Sequence, residues 1–541
     1  MRARDAHSLS LRRLLSAEIG ACLPASAVRQ RWCLLYPNTY WVGMSNLGVQ
    51  VVYHALNEQP AVGCERAFLP EPAHLARLEA TRRPVRSLET QTPLHAFDVL
   101  AFSLSYELDY PNVLRLLALG GLAWRASERQ DQAPLIIAGG PCATFNPEPL
   151  AEVVDAFVVG EAEEVVGPLV AAVGDRHLPR GERLERLAAV EGVYVPSLYE
   201  AHYGGEGGEA WVEPRPGAPA QVRRRWVADL DAWPAHSHVL SPHTEFGHMF
   251  LVEVARGCGR ACRFCVADAS YRPLRRRSAE RILQTAADGL RHRRTIGLVG
   301  ASVSDHPEVD RICAGILAMG GQVAVASLRA DSVTPGLIEA LARQGTRTIT
   351  VAPEAGTQRL RDVIGKGLTF DHVARALSMS GQAGITQAKL YFMIGLPTEQ
   401  QEDVLAIAEM VAELSAQTPV RRFHVSVSPF VPKPGTPLER SPMNTARELE
   451  GKLKVLRRRI RALPHAELTA ESVRWSLVQA LLARGDRRLG AVIARAAELG
   501  GRLAAWRQAL AEAGMDERRA CRPRQEGERL PWQHIASRWW A

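Results

Sequence analysis

The sequence of 541 residues contains no apolar run near the roughly 18 residues that a membrane-spanning helix needs. Its basic N-terminal segment includes Asp5 and Glu18 and has no apolar core of the kind found in secretory signal peptides. Internal repeats of solenoid length and low-complexity tracts are also absent. These absences predict a globular cytoplasmic protein without a membrane span, with residues 1–29 as an N-terminal extension.

Lysine is scarce, because the 66 basic residues comprise five lysines and 61 arginines. With 58 acidic residues the net charge is +8, which is compatible with an anionic partner such as RNA. Arginine runs occur at residues 223–225, 275–277, 291–294 and 457–461. Since they are scattered along the chain, we expect most of them on solvated surfaces rather than in one binding patch.

The nine cysteines are an odd number in a chain without a secretion signal, which argues against a framework of disulfide bonds. Six of them lie far apart and are expected to be buried thiols. The other three, Cys258, Cys262 and Cys265, follow the spacing C-x3-C-x2-C on a loop with glycines. Structural zinc sites and most iron–sulfur clusters are closed by four protein ligands, whereas three thiolates leave one coordination position open for catalysis. A zinc loop with a distant fourth ligand and chance clustering are the alternatives.

Short apolar runs alternate with helix-period stretches in two regions of the chain, which predicts an α/β fold. Residues 30–175 indicate a doubly wound, Rossmann-like parallel sheet, with strands at 32–36, 97–102, 134–138 and 156–159. Residues 246–440 indicate a partial (β/α)6 TIM-type barrel, with strands at 249–254, 296–299, 323–327, 348–351, 388–394 and 423–428. The Gly- and Pro-rich residues 176–245 are interpreted as a connector with short β elements. Residues 441–541 are interpreted as a helical C-terminal region.

The cysteine loop also carries an aromatic residue, Phe264, directly before its third cysteine. In this respect it resembles the loop of the radical S-adenosylmethionine (radical SAM) superfamily, and the resemblance implies that Phe264 is a cofactor-binding residue. The resemblance implies that Cys258, Cys262 and Cys265 hold a 4Fe-4S cluster whose fourth iron binds the amino and carboxylate groups of SAM. It further implies that one electron cleaves SAM and releases a 5′-deoxyadenosyl radical, which abstracts hydrogen from a substrate.

Several downstream segments resemble the SAM-binding strand ends of that superfamily. Gly300 and Ser302 follow the second strand, where the family often has Gly-Gly-Glu, so backbone contacts are implied there. Ser327 and Arg329 lie at the end of the third strand and Glu354 at the end of the fourth, so these side chains are implied to contact SAM. Two further basic residues, Arg361 and Lys366, are each expected on a solvated helical face.

Residues 30–175 resemble the cobalamin-binding domain that precedes many radical SAM barrels. The hallmark of that domain is D-x-H-x-x-G with the His on cobalt, but Asn38 and Tyr40 stand at the Asp and His positions here. A phenol is a poor substitute for imidazole. Cobalamin could bind without a protein ligand on cobalt, or the site could be empty. His54 is expected to be a packed or surface histidine rather than a replacement ligand.

The leading functional prediction is a radical SAM enzyme that acts on an unidentified substrate, which could be RNA. Its partners would be SAM and an electron donor such as flavodoxin or ferredoxin. One alternative is a cobalamin-dependent radical SAM methyltransferase, and another is a non-catalytic iron–sulfur or RNA-binding protein. Tyr106, Asp305 and His424 could act on the substrate, although such residues are more often structural.

Overall fold

The computed structural model describes residues 6–23, 28–204 and 209–536. Parts of the predicted N-terminal extension and the last five residues of the C-terminal region therefore lie outside the described residues. The elements up to the connector are α1 (Ala6–Ser16), β1 (Gln30–Tyr36), α2 (Tyr40–Met44), α3 (Leu47–Asn57), β2 (Val62–Phe68), α4 (Pro72–Thr81), β3 (Val99–Ser103), α5 (Tyr110–Leu119), β4 (Leu135–Gly139), α6 (Pro141–Phe145), β5 (Ala156–Val158), α7 (Val166–Val173), α8 (Arg180–Ala188) and β6 (Val193–Tyr194).

The connector and barrel region contains β7 (Tyr199–Tyr203), β8 (Ala210–Pro214), β9 (Val222–Arg223), β10 (Met249–Glu253), β11 (Ala255–Arg256), α9 (Val266–Tyr271), β12 (Arg275–Arg276), α10 (Ala279–Gly289), β13 (Thr295–Val299), α11 (Val309–Ala318), β14 (Gln322–Val325), α12 (Pro335–Arg343), β15 (Thr348–Glu354), α13 (Gln358–Val363), α14 (Phe370–Gln382), β16 (Gln387–Ile394), α15 (Gln401–Gln417) and β17 (Arg422–Pro429). The last elements are α16 (Ala446–Arg461), β18 (Ala466–Ala470), α17 (Val473–Ala483), α18 (Leu489–Glu498), α19 (Leu503–Glu512) and β19 (Ile535–Ala536).

The N-terminal sheet has six strands in the order β2-β1-β3-β4-β5-β6, all parallel except β6, which runs antiparallel to β5. Alternate residues of β1 enter opposite cores, since Cys33 and Leu35 pack on one face and Trp32 and Leu34 on the other. Both faces are therefore covered, as the doubly wound prediction requires. Within residues 30–175 the sheet is parallel, as predicted, although the prediction missed β2. The antiparallel edge strand β6 comes from the segment interpreted as the connector.

The barrel region forms two parallel sheets, β10-β13-β14 and β15-β16-β17-β18. A single parallel bridge between Leu328 and Val351 joins them into one curled row of seven strands. The six predicted strands are confirmed, and β18 is an additional one. Among the described residues no pairing between β10 and β18 closes the row, so the barrel is open on that side.

The connector and C-terminal region tie these two units together. β7 and β8 form an antiparallel hairpin, while β9 pairs in parallel with β19 near the end of the chain. Helix α18 packs against α5 beside the N-terminal sheet. In the described part of the chain, no helix is both long and apolar enough to cross a membrane.

Candidate active site

The three clustered cysteines lie between β11 and α9, in a loop that follows the first barrel strand. The two-residue antiparallel ladder of β11 and β12 closes the base of this Cys loop. Gly257 opens the loop with a positive φ of 83°, and a Cβ there would lie 2.4 Å from the carbonyl oxygen of Tyr271. Only glycine fits such a backbone conformation at so close an approach. Because the loop follows the first barrel strand, it lies at the carboxyl end of the barrel, where the active sites of such folds are found.

The thiols of Cys258, Cys262 and Cys265 are free; Cys262 is buried, whereas Cys258 and Cys265 are partly exposed. Burial raises the pKa of Cys262 and of Cys265, and each is also affected by the charge of Cys258, so the three groups are neighbours. Lys366 and Arg329 face Cys262 and act in the opposite direction, to lower its pKa. Within the described ranges, no three His, Cys, Asp or Glu side chains converge on a point that could hold a single metal ion.

Salt bridges and a backbone hydrogen bond hold the Cys loop over the barrel mouth. The Arg260 guanidinium donates to both carboxylate oxygens of Asp305 at 2.7 and 3.0 Å and approaches Asp331 at 3.2 Å. The Arg263 amide donates to the Ile364 carbonyl at 2.9 Å. Asp305 thus fastens the loop to the segment after the second barrel strand, which is a positioning role rather than contact with substrate.

Phe264 packs into a small apolar cluster at the barrel mouth. The members of this mouth cluster come from the ends of the fourth, fifth and sixth barrel strands and the residues after them: Ala355, Leu360, Ile364, Leu396, Phe430 and Leu438, with Val363 and Met393 at its border. An apolar surface therefore lies next to the third cysteine of the loop. The position predicted for Phe264 as a cofactor-binding residue is compatible with this packing.

Glu354 has strained backbone geometry at the end of β15. Its φ is +71°, which is unusual for a residue other than glycine, and the pairing of β15 with β16 shifts register between Val351 and Glu354. Burial raises the pKa of its carboxyl, and the Lys366 Nζ, 3.1 Å from Oε1, opposes that rise. Strain of this kind is concentrated at functional sites.

Lys366 and Arg361 are not on a solvated helical face, as the sequence had suggested. Lys366 is 9% exposed and follows the end of α13, where it reaches Glu354. Arg361 is 3% exposed, and its guanidinium donates to the carbonyls of Ala355 and Gly356, both at 2.9 Å. The expectation was wrong because the turn after α13 folds back under the barrel mouth. Most arginines of the runs are exposed, as expected, but Arg224, Arg275 and Arg277 are buried.

The remaining predicted SAM contacts fall in two places. Arg329 lies with the site, where its guanidinium meets Asp331 at 2.8 Å and donates to the Lys366 carbonyl at 2.9 Å. Ser302 lies beside Asp305. Gly300, by contrast, borders a separate cavity. Ser327 is exposed, two residues after the end of β14. Cys262, Arg329, Glu354 and Lys366 are therefore the residues that the fold brings together.

A cavity of about 580 Å³ lies between the N-terminal sheet and the Cys loop. Glycines at the strand ends of both units border it, including Gly139, Gly160, Gly257 and Gly300, and most of the other lining groups are apolar. A Cβ added to Gly139 would touch only Val158, at 3.8 Å or more. The cavity therefore has the position expected for a ligand at the carboxyl edge of a doubly wound sheet.

Tyr40 and Asn38 do not face this cavity as potential cobalt ligands. The Tyr40 hydroxyl donates to Glu18 at 2.6 Å inside a buried cluster with Arg66, and burial raises its pKa. The Asn38 amide donates to Asp109, a buried carboxyl whose pKa is raised to about 6. His54 is stacked on His238 with ring centroids 3.8 Å apart, so it is a packed histidine, as expected.

A buried ion cluster joins the cavity wall to the base of the Cys loop. Glu161, 5% exposed, accepts two hydrogen bonds from Arg275 at 2.7 and 2.9 Å and one from Arg256 at 2.8 Å. These partners hold the pKa of the Glu161 carboxyl below its usual value despite burial. Sequence reasoning missed this cluster, because its members are separated by about a hundred residues and no local motif signals their contact.

The inner face of the open barrel is polar. Alternate residues of β16 are buried outside against helices, whereas Lys389 and Tyr391 face inward, and Tyr391 is 38% exposed. The strand register places Lys389 beside His424, and His424 beside Glu467, with which it pairs. These side chains offer polar contacts below the three thiols. Tyr106, 42% exposed, follows β3 of the N-terminal sheet.

An open parallel barrel with three thiols at its mouth defines a class of metal-cofactor enzymes, and the sequence comparisons identify the class. Residues 252–411 match the model of the radical SAM superfamily, and residues 48–196 match that of the N-terminal region of radical SAM proteins. The first match includes the Cys loop and the second includes most of the N-terminal sheet. The protein is an enzyme of the radical SAM superfamily, whose members use a 4Fe-4S cluster and SAM.

The chain is also similar to individual proteins. An uncharacterized protein of Methanocaldococcus jannaschii is 28% identical over 460 residues, which are 84% of this chain and 89% of that protein. An uncharacterized methyltransferase of Pyrococcus horikoshii is 25% identical over 317 residues, 56% of this chain and 62% of the relative. Among solved structures, the radical SAM methyltransferase TsrM of Kitasatospora setae, with cobalamin and a [4Fe-4S] cluster bound, aligns over 76% of this chain and 77% of its own, with 15% identity and a TM-score of 0.49. The cobalamin-dependent radical enzyme OxsB aligns over 72% and 53%, with 16% identity and a TM-score of 0.47.

Proposed function

We propose that this protein cleaves SAM reductively and uses the resulting radical on a substrate that enters the open barrel. The observation that carries the proposal is the grouping of three free thiols with Arg329, Glu354 and Lys366 at one barrel mouth. The three thiolates would hold a 4Fe-4S cluster and leave one iron without a protein ligand. When bound, the cluster supplies the single electron for SAM cleavage.

The side chains around the thiols have the chemistry to bind and orient SAM. Arg329 and Lys366 offer positive charge to its carboxylate, and Glu354 offers a buried acceptor to its polar groups. The mouth cluster around Phe264 offers an apolar surface to adenine. We further propose a flavodoxin or ferredoxin as the electron donor.

Anaerobic reconstitution with iron and sulfide, followed by reduction with dithionite, tests this proposal. The protein should convert SAM to 5′-deoxyadenosine and methionine, measured by mass spectrometry. Cys262→Ala should lose most of its iron and at least about 99% of this turnover. The control Cys521→Ala changes a partly buried thiol of the C-terminal region and should keep both the iron and the turnover. A wild-type protein with an intact cluster but no SAM cleavage would instead support a non-catalytic iron–sulfur role.

Cobalamin-dependent methyl transfer is a second candidate, favoured by the cavity beside the Cys loop. Its glycine-bordered, mainly apolar wall at the edge of the N-terminal sheet could take part of a cobalamin molecule. The methyltransferase name of the Pyrococcus relative supports the same reaction class. Because Tyr40 and Asn38 are engaged elsewhere, cobalamin would bind here without an imidazole from the chain on cobalt.

Absorption spectra after incubation with hydroxocobalamin and desalting test the second candidate. The wild-type protein should retain the corrinoid, whereas Gly139→Val, which projects a side chain into the cavity, should retain at least about tenfold less. Gly181→Ala on helix α8 is the control, because a Cβ there meets no atom within 4 Å. If the wild-type protein kept no corrinoid absorbance after desalting, the proposal of cobalamin-dependent methyl transfer would be rejected, and the proposal of SAM cleavage would be unaffected.

A further inference from the structure

A second, smaller pocket lies in the C-terminal region. The end of α17, the start of α18 and the segment that follows α19 enclose about 40 Å³. Such a volume holds about three water molecules, which is close to the bulk of one tetrahedral oxyanion. Its charged lining residues are Arg484, Asp486, Arg519, Arg522 and Arg524.

Arginines outnumber carboxylates around this pocket. The Glu528 carboxylate pairs with two of them, accepting hydrogen bonds from Arg522 at 2.5 and 3.0 Å and from Arg524 at 2.9 Å. Asp486 is engaged by a further arginine, Arg488, through two hydrogen bonds of 2.9 and 2.7 Å. These five arginines face the carboxylates of Glu528 and Asp486 and, beside Arg519, that of Asp516, which leaves an excess of positive charge around a partly enclosed space.

Arg484 is the buried centre of this Arg pocket, with 4% of its surface exposed. Two of its guanidinium nitrogens donate to the carbonyls of Ala520 and Arg522 at 3.0 and 3.1 Å, but its Nε–H has no partner among the described residues. Burial and the charges of Arg524 and Arg522 lower its pKa to about 9. A buried guanidinium among like charges lacks the counter-charge that such groups normally have.

Arg519 stands at the edge of the same pocket. Its pKa is lowered by partial burial and by Arg488, and its side chain makes no hydrogen bond or salt bridge within the described part of the chain. Both Arg519 and the neighbouring Arg518 are exposed, but Arg518 does not line the pocket and instead pairs with Asp516 at 2.7 Å. The two adjacent arginines therefore provide one lining residue and one matched control.

We propose that the Arg pocket binds a phosphate group, held by Arg484 and Arg519 with Arg522 and Arg524 around it. Arginine's planar fork of donors suits phosphate oxygens, and the anion would supply the missing counter-charge. The phosphate could be inorganic or the monoester end of a larger metabolite, since both present the same oxyanion. Binding at this site needs neither the cluster nor SAM.

Calorimetric titration of the full-length protein with inorganic phosphate tests the site. Wild type should show saturable binding of one phosphate per chain and a rise in melting temperature with phosphate concentration. Arg519→Gln should weaken binding at least about fivefold, and Arg518→Gln less than about twofold, because only the former residue lines the pocket. No saturable binding by wild type up to about 20 mM, or equal weakening in both variants, would overturn the proposal.

Competition by a nucleoside 5′-monophosphate identifies the source of the phosphate. Displacement of inorganic phosphate from wild type, but much less effective competition in Arg519→Gln, assigns the site to a phosphomonoester. A failure to compete while inorganic phosphate still binds assigns it to the free anion. Because the titration is done without reductant, loss of SAM cleavage and loss of phosphate binding remain separate results.

Discussion

At the scale of single residues, Lys366 has the most informative surroundings. It is buried beside Cys262 and neutralises Glu354, so its removal leaves a buried carboxyl without its cation. Lys366→Met should therefore weaken SAM binding at least about tenfold and raise the pKa of Glu354 further. Anaerobic titration calorimetry with SAM on the reconstituted protein measures the loss.

Lys454→Met is the control for this substitution, because Lys454 is an exposed residue of α16. Its affinity for SAM should stay within about twofold of wild type. If both variants bound SAM as wild type does, Lys366 would have no part in holding it.

The functional roles of the three cysteines and of Lys366 were not equally predictable from the sequence. Cys258, Cys262 and Cys265 are close in sequence and chemically distinctive, so their spacing alone suggested a metal centre. Lys366 and Arg361 are common residue types near a helix end, and only the turn that buries them gives them a role. Local pattern therefore predicts a compact motif better than it predicts the residues that surround it.

At the scale of secondary-structure elements, a stack of three histidines lies where α3 meets the connector. His54 of α3 stacks on His238, and His236 lies 4.3 Å from His238 between ring centroids and also stacks on Phe250 of β10. Burial and the neighbouring rings lower the pKa of His238 to about 3, and burial lowers that of His236, which also feels Arg277 and Arg281. The folded protein thus favours the neutral rings of His236 and His238.

This stack predicts acid sensitivity. An unfolded histidine titrates near 6.5, so as the pH falls the unfolded chain takes up protons that the folded chain does not. The contribution is fully present above about pH 7.5 and is lost progressively as the pH falls through 6.5 toward 3. Allowing for partial exposure, wild type should lose on the order of 1 kcal/mol at pH 5 from this cause, measured by urea unfolding.

His238→Phe keeps an aromatic ring in the stack but cannot take up a proton. Its stability should fall less between pH 7.5 and pH 5 than that of wild type. His292→Phe, at an exposed position after α10, is the comparison, and its pH profile should follow that of wild type in slope. If the unfolding free energy of His238→Phe fell as steeply between pH 7.5 and pH 5 as that of wild type, groups other than His238 would cause the loss of stability.

The elements themselves were predictable where their side-chain pattern was regular. The ten strands expected from apolar runs are present, with ends shifted by a few residues. β2 was missed because Glu65 and Arg66 interrupt its apolar run, and both are buried through partners elsewhere: Glu65 accepts from Ser87 and Thr90, and Arg66 pairs with Glu18 and Glu89. β18 was missed because its five residues lie at the barrel edge and are at most partly buried, so the alternation of Ala466, Leu468 and Ala470 with polar residues is too short and too weakly apolar to identify a strand.

At the scale of the whole molecule, Glu161 connects the two main units. Its carboxylate joins the N-terminal sheet to Arg256 and Arg275 on both strands at the base of the Cys loop. Glu161→Gln leaves these buried cations without their charge partner and should cost about 3 kcal/mol of unfolding free energy. Urea unfolding followed by circular dichroism gives the difference.

Glu164→Gln provides the matched control for this substitution. Glu164 lies in the same segment and also pairs with an arginine, Arg225 at 2.8 Å, but both side chains are partly exposed. Its replacement should cost less than about 1 kcal/mol. If Glu161→Gln and Glu164→Gln lost the same unfolding free energy, the buried Glu161 cluster would stabilise the contact between the two units no more than an exposed ion pair does.

The relation between the two units was the least predictable level. Two α/β units and a connector could be inferred from alternating patterns, but the contact of Glu161 with Arg275 spans 114 positions. Ion pairs over such distances depend on the assembled fold and have no periodic signature. The apolar cavity is a similar case, since residues from both units border it.

The pairing of β9 with β19 has a consequence for synthesis of the chain. Val222 faces Ile535, and Arg223 faces Ala536, so the connector strand waits for a partner made more than three hundred residues later. At ordinary rates of translation this delay is on the order of half a minute. During that interval the barrel strands emerge while β9 is still an unpaired edge. Until the C-terminal residues leave the ribosome, the nascent protein would therefore expose an unpaired strand edge to which chaperones or neighbouring chains can bind.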